Sequence, residues 1–159
     1  MPHLAILEFA IDEVEAFSHN RESEIFLGFA PMKILLVDDE PFLLKTLSVR
    51  LSHWGYHVMD APDGLKCLEV IHQHLPDLLI LDKEMPELNG DEVAKIVRKD
   101  LRLRHIPIIL ISADVENLAA SAQACGVPTY LPKPFDPEEL RTMIKTLLRQ
   151  EAHGDGFQM

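Results

Sequence analysis

The chain has 159 residues, of which 47% are hydrophobic, enough to bury one core but too few for two ordinary domains. Its formal net charge of -11 argues against direct binding to nucleic acid, whose binders usually carry a basic face. Two cysteines, Cys67 and Cys125, lack the spacing of a zinc site or a disulfide framework. No apolar run is long enough to span a membrane and no signal peptide is recognisable, so a cytoplasmic protein is expected.

Residues 1–31 do not belong to the pattern that follows and are predicted to be an N-terminal extension. Leu4, Leu7, Ile11 and Val14 have heptad-like spacing, which permits a short amphipathic helix able to pack on a partner. A disordered acidic leader is the alternative, since isolated helices of this length are marginal. Met32 offers a second possible start.

From residue 32 to residue 150, short apolar runs alternate with segments of helical period. Strands are predicted at 33–37, 56–60, 77–82, 106–112 and 128–132, and helices at 41–54, 63–73, 90–100, 115–124 and 137–150. Continuous apolar strands are typical of a parallel sheet buried on both faces, so a three-layer α/β fold is predicted. Residues 151–159 are predicted to be a disordered tail, with no output domain after it.

Polar residues follow several of the predicted strands. Asp38 and Asp39 follow the first strand, Asp82 ends the third, Ser112 ends the fourth and Lys133 follows the fifth. Ligands of doubly wound sheets bind at the carboxyl ends of the strands, so these side chains are expected to share one pocket. Clustered carboxylates without nearby histidine or cysteine favour Mg²⁺, and an ammonium and a hydroxyl complete a set suited to phosphoryl transfer.

Four motifs, VDDE, LLILDKEMPELNG, ISAD and YLPKPF, closely resemble in order and spacing the signatures of response-regulator receiver domains. The resemblance covers residues 33 to about 150 and implies a flavodoxin-like (βα)5 sheet with strand order 2-1-3-4-5. It implies that Asp82 is the phosphoacceptor and that Asp39 and Asp82 bind Mg²⁺ directly. Asp38 would act through water, and Glu84 would lend its backbone carbonyl to the metal.

The same resemblance assigns the remaining site residues. Ser112 and Lys133 would stabilise the phosphoryl group, Tyr130 would be the aromatic switch residue, and the Lys133–Pro134 peptide bond would be cis. A histidine kinase or phosphotransfer protein would donate the phosphoryl group. The face formed by the fourth helix, fifth strand and fifth helix would then signal to a downstream protein, so the chain is predicted to be a single-domain switch, monomeric or weakly dimeric, and not an enzyme.

Other interpretations of these residues remain open. Considered alone, Asp82 and Ser112 could cap helices, and Tyr130 could be an ordinary half-buried aromatic. A haloacid dehalogenase-like hydrolase would need a second aspartate two residues after Asp82, where this chain has Glu84. A phosphorylation-independent module that dimerises through residues 4–17 is the main alternative. We also hypothesise that Glu84 alters access of the hydrolytic water to a phosphorylated Asp82.

Overall fold

In a computed structural model, residues 30–154 of the chain are described. The predicted helix at residues 4–17 and the last residues of the predicted tail, 155–159, lie outside this range. Five strands alternate with five helices: β1 (Lys33–Val37), α1 (Pro41–His53), β2 (His57–Ala61), α2 (Gly64–His74), β3 (Leu78–Asp82), α3 (Gly90–Lys99), β4 (Ile108–Ser112), α4 (Val115–Ala124), β5 (Thr129–Pro132) and α5 (Pro137–Gly154).

The strands form one parallel sheet in the order β2-β1-β3-β4-β5. This confirms the predicted flavodoxin-like fold and its strand order. The register aligns the strand ends: Val37 lies opposite Leu81, Asp82 opposite Ile111, and Ser112 opposite Pro132. Because all five strands run the same way, the loops after β1, β3, β4 and β5 meet at one edge of the sheet, which we call the carboxyl edge.

Two apolar clusters cover the two faces of the sheet. One cluster joins alternate residues of the strands, such as Leu35 and Leu79, to buried residues of α2, α3 and α4. The other joins the intervening residues, such as Ile34 and Ile80, to α1 and α5. Every residue of β3 and β4 is buried, as the uninterrupted apolar runs predict for central parallel strands. The protein therefore has three layers.

The helix ends follow local chemistry. Pro41 and Pro137 stand at the first positions of α1 and α5, where their missing N–H groups cost nothing. The Asp136 side chain, just before α5, accepts a hydrogen bond from the backbone N–H of Glu138 at 2.9 Å. Helix α5 continues to Gly154, so residues 151–154, which were predicted to belong to a disordered tail, are part of this helix.

Candidate functional site

The predicted site residues come together at the carboxyl edge of the sheet. Asp38 directly follows β1, Asp82 and Ser112 are the last residues of β3 and β4, and Lys133 directly follows β5. Backbone hydrogen bonds extend the sheet by one step here, since Lys83 N donates to Ile111 O at 2.8 Å and Lys133 N donates to Ser112 O at 2.8 Å. The sheet itself therefore fixes the spacing of these side chains.

Three carboxylates form a cluster at this edge. One oxygen from each of Asp38, Asp39 and Asp82 lies within 4.8 Å of the other two. Asp38 and Asp82 are buried, with 6% and 4% of their surface exposed, whereas Asp39 is exposed. The Lys133 ammonium lies 3.0 Å from Asp38 Oδ2 and 3.3 Å from Asp82 Oδ2. Among the described residues, Lys133 is the cation that pairs with the carboxylates of the cluster.

The electrostatics of the cluster follow from this imbalance. Burial, and then the nearby charge of Asp38, raise the pKa of Asp82 to about 7, even though Lys133 and the backbone N–H of Glu84 act in the opposite direction. For Lys133, burial disfavours the charge, but the hydrogen bond to Asp38 and the charges of Asp82 and Asp38 outweigh it and raise its pKa. The ammonium is thus held in its charged form, while Asp82 resists ionisation without a further cation.

A hard divalent cation fits this set of donors. The cluster presents oxygen ligands alone, which suit Mg²⁺, and a single ammonium leaves the three carboxylates under-neutralised. Asp38 and Asp82 both have partners within the fold: Asp38 Oδ1 accepts from Glu40 N at 2.9 Å, Asp82 Oδ1 accepts from Glu84 N at 3.3 Å, and the Lys133 ammonium lies beside Oδ2 of each. Asp39 is exposed and lies at the solvent side of the cluster. The predicted division into direct and water-mediated metal ligands stays a prediction.

Ser112 lies beside the cluster and is completely buried. Its hydroxyl donates a hydrogen bond to Glu84 Oε1 and accepts one from the backbone N–H of Asp114 at 2.9 Å. Lys83, which follows Asp82, reaches across to Asp114 Oδ2 at 3.6 Å. The loops after β3 and β4 are therefore tied together by side chains on both sides of Ser112.

Two further features belong to this edge. A Cβ added at Gly90, the first residue of α3, would lie 2.3 Å from the backbone oxygen of Asp82, so only glycine allows α3 to begin so close to the end of β3. The Lys133–Pro134 bond is cis, as predicted. Farther along β5, Tyr130 is 40% exposed and lines a surface cavity of about 510 Å³ beside α4, together with Ala119 and Gln123.

Comparison with known families decides where this geometry belongs. The model of the response regulator receiver domain matches residues 34–145, which is most of the chain and includes every residue of the site described above. The chain belongs to the response regulator receiver domain family. Receiver domains of this family act in two-component signalling as phosphoacceptor switches rather than as conventional enzymes, and they bind Mg²⁺ at an acidic pocket.

Individual relatives agree with this assignment. The receiver domain is 42% identical to the ycf27 protein of Guillardia theta over 120 residues, which are 74% of this chain and 46% of that protein. It is 34% identical over 120 residues to the DNA-binding dual master transcriptional regulator RpaA of Synechocystis, covering 74% of this chain and 49% of RpaA. The chain spans about half the length of these curated relatives.

A solved structure matches at full length. The chemotaxis protein CheY4 of Vibrio cholerae has a TM-score of 0.69 and 31% sequence identity, covering 74% of this chain and 99% of CheY4. Within the residues that our structure describes, no helix has both the length and the hydrophobicity needed to cross a membrane.

The receiver domain also contains site residues that sequence analysis did not single out. Lys83 and Asp114 form the ion pair across the site, and Gly90 brackets the end of β3. Lys83 immediately follows Asp82 and Asp114 lies two residues after Ser112, and this closeness to the predicted site was the signal in the sequence that could have identified them. Glu84 was singled out, but its side-chain bond to Ser112 was not foreseen, because it joins residues 28 positions apart.

Proposed function

We propose that this receiver domain accepts a phosphoryl group on Asp82 from a histidine kinase or a phosphotransfer protein. The observation that carries the proposal is the juxtaposition of a buried Asp82 with two further carboxylates and the Lys133 ammonium. Such an arrangement does not stabilise the fold by itself, since buried like charges repel one another. It can, however, bind a cation together with an anionic phosphoryl group.

The reaction would proceed by in-line displacement at phosphorus. An Asp82 carboxylate oxygen attacks the phosphorus of a phosphohistidine, the P–N bond breaks, and the departing imidazole nitrogen takes a proton from solvent. Lys133, already 3.3 Å from Asp82 Oδ2, would neutralise charge on the incoming phosphoryl oxygens. The Ser112 hydroxyl would donate a hydrogen bond to one of those oxygens.

Mg²⁺ would be held by Asp39 and Asp82 directly, by Asp38 through water, and by the backbone carbonyl of Glu84. When bound, it would neutralise charge on the carboxylates and on the phosphoryl oxygens during transfer. The residues of the chain do the rest: they orient Asp82, hold the ammonium beside it and supply the hydroxyl donor.

The signal would leave through the face formed by α4, β5 and α5. In the structure Tyr130 is exposed and lines the surface cavity beside α4. Tyr130 lies opposite Leu110, two positions before Ser112 on β4, so movement of Ser112 toward a phosphoryl group would vacate space on the neighbouring strand and favour an inward position of the ring. Phosphorylation would thus shift an existing equilibrium of the face that a partner reads.

Several finer points stay predictions. A cytoplasmic location, a monomeric or weakly dimeric state and the lack of direct nucleic-acid binding are expected from the sequence. RpaA, by contrast, is a DNA-binding regulator about twice as long as the matched region.

The test is intact mass after incubation with Mg²⁺ and a small acyl phosphate. Wild-type protein is expected to gain one phosphoryl group, and Asp82→Asn is expected to gain none. Asp60→Asn serves as the matched control, because Asp60 is exposed on β2, which β1 separates from β3, and lies outside the cluster. Omitting Mg²⁺ or adding a chelator should prevent the gain. A folded protein without any adduct would instead favour the phosphorylation-independent dimerisation module.

A further inference from the structure

The hydroxyl of Ser112 is already engaged in the unphosphorylated protein. A serine hydroxyl has one proton to donate, and here it goes to Glu84 Oε1, while the oxygen accepts from Asp114 N at 2.9 Å. Ser112 is fully buried, so solvent does not offer it another acceptor. Its single proton is therefore committed to a carboxylate of the loop after β3.

The same proton is required by the function proposed above, on which this inference rests. If Ser112 donates to a phosphoryl oxygen on Asp82, it must first release Glu84. Both acceptors are anionic oxygens, so they compete on similar terms for one charge-assisted hydrogen bond. We propose that Glu84 is a positioning residue that holds the Ser112 hydroxyl in the unphosphorylated protein and so opposes the phosphorylated state.

The surroundings favour this role over a simple surface ion pair. The two lysines near the site pair with carboxylates other than Glu84. Lys83 pairs with Asp114, and Lys133 pairs with Asp38 and Asp82. For Glu84, the recorded side-chain partner is the Ser112 hydroxyl. Its backbone is held as well, since Glu84 N donates to Asp82 Oδ1 at 3.3 Å. The residue is thus anchored between phosphoacceptor and hydroxyl.

Charge repulsion is the competing explanation for any effect of Glu84. A carboxylate near Asp82 would disfavour a bound phosphoryl group whether or not it touched Ser112. The two explanations separate in a protein that lacks the Ser112 hydroxyl. Competition for the proton disappears there, whereas repulsion between Glu84 and the phosphoryl group remains.

The experiment is a double-mutant cycle that measures the affinity for beryllium trifluoride, a tetrahedral analogue of the phosphoryl group, by calorimetry in saturating Mg²⁺. The four proteins are the wild type, Glu84→Ala, Ser112→Ala and the double variant. The control is Glu87→Ala, which removes the same charge from an exposed position of the same loop. Acyl-phosphate labelling of the wild type is followed in parallel by intact mass.

We expect Glu84→Ala to tighten binding about tenfold, as the loss of a competing charge-assisted hydrogen bond predicts. In the Ser112→Ala background the same change should alter affinity by less than about twofold, since the coupling is then absent. Glu87→Ala should leave affinity unchanged. An equal gain in both backgrounds, or no gain in either, would overturn the inference while the wild type still forms its adduct. A wild type that neither forms the adduct nor binds the analogue would refute the proposed function, and this inference with it.

Discussion

The two edges of the central sheet use the same kinds of charged residues in different ways. At the opposite edge, where the strands begin and which we call the amino edge, Asp77 Oδ2 accepts a hydrogen bond from the backbone N–H of Lys33 at 2.7 Å. The Lys33 ammonium donates to the carbonyl of His74, the last residue of α2, at 2.7 Å. At the carboxyl edge, three carboxylates lie together, and among the described residues the Lys133 ammonium pairs with two of them, Asp38 and Asp82.

The balance of charge, and not the residue type, distinguishes the two edges. At the amino edge, Asp77 and Lys33 each have a partner within the fold, and the helix C-terminus there favours a cation. At the carboxyl edge, a pair of carboxylates 4 Å apart repels by about 4 kcal/mol under an effective dielectric near 20. An arrangement that costs stability points to a ligand that completes it. Four variants test this difference between the two edges.

Removal of the Lys133 ammonium should have the largest effect on the rate of adduct formation. We expect Lys133→Met to slow formation of the phosphoryl adduct on Asp82 by about 100-fold, the usual size of losing one charge-stabilising donor. The rate is measured by intact mass during incubation with an acyl phosphate and Mg²⁺. Lys145→Met, an exposed position on α5, is the control and should react like the wild type. An unchanged rate in Lys133→Met would show that the Lys133 ammonium is not needed for adduct formation at the carboxyl edge.

Neutralising Asp82 should stabilise the metal-free protein. Its pKa is raised from 3.8 to about 7, so ionising this carboxyl favours the unfolded chain. The penalty is absent below about pH 4, grows as pH rises to 7 and stays constant above that, where it reaches about 2–4 kcal/mol. Urea unfolding in chelator should therefore show Asp82→Asn more stable than the wild type at pH 8 and equal to it near pH 4.

The same measurement has an internal check. Mg²⁺ should raise the stability of the wild type more than that of Asp82→Asn, because the cation relieves a repulsion that the variant lacks. A variant that is less stable than the wild type at pH 8 would show that the cluster is a structural element, like the amino edge.

Gly90→Ala should lower stability by forcing the two backbone segments apart. The new Cβ would lie 2.3 Å from Asp82 O and 2.8 Å from Lys83 Cα, contacts that no rotamer change can relieve. We expect a loss of about 1–3 kcal/mol in urea unfolding and slower adduct formation, because β3 carries Asp82. Gly126→Ala is the comparison: the φ of Gly126 is 74°, but the new Cβ would lie 3.6 Å from its nearest neighbour, the Arg98 side chain, so the adduct rate should not change. Equal adduct rates in both variants would contradict the prediction.

Asp77→Ala should have the smallest effect and leave the site intact. It removes the acceptor of the Lys33 backbone N–H, which is partly exposed, so a loss of about 1 kcal/mol is expected in urea unfolding. The rate of adduct formation should equal that of the wild type, since Asp77 lies at the opposite edge of the sheet. A slower rate would mean that the two edges are coupled through the sheet.

Much of the fold could be predicted because it depends on local patterns. The run at 33–37 matches β1 residue for residue, and the predicted helix at 115–124, the weakest pattern, matches α4. The strand predicted at 106–112 begins two positions later, at Ile108, since Pro107 lacks the N–H that a ladder needs. The predicted end of α5 was early, because a charged, polar segment does not by itself show where a helix stops.

The set of helices and strands and the identity of the residues at the carboxyl edge could be predicted from the sequence alone. Hydrophobic period and strand ends are local properties, and parallel strands must bring their carboxyl ends together. How those residues pair depends on the tertiary fold. Asp38 is buried against Lys133 while Asp39 is exposed, and the Ser112 hydroxyl donates its proton to Glu84. Such pairings join residues up to 95 positions apart, and they depend on the packing of side chains that no local pattern encodes.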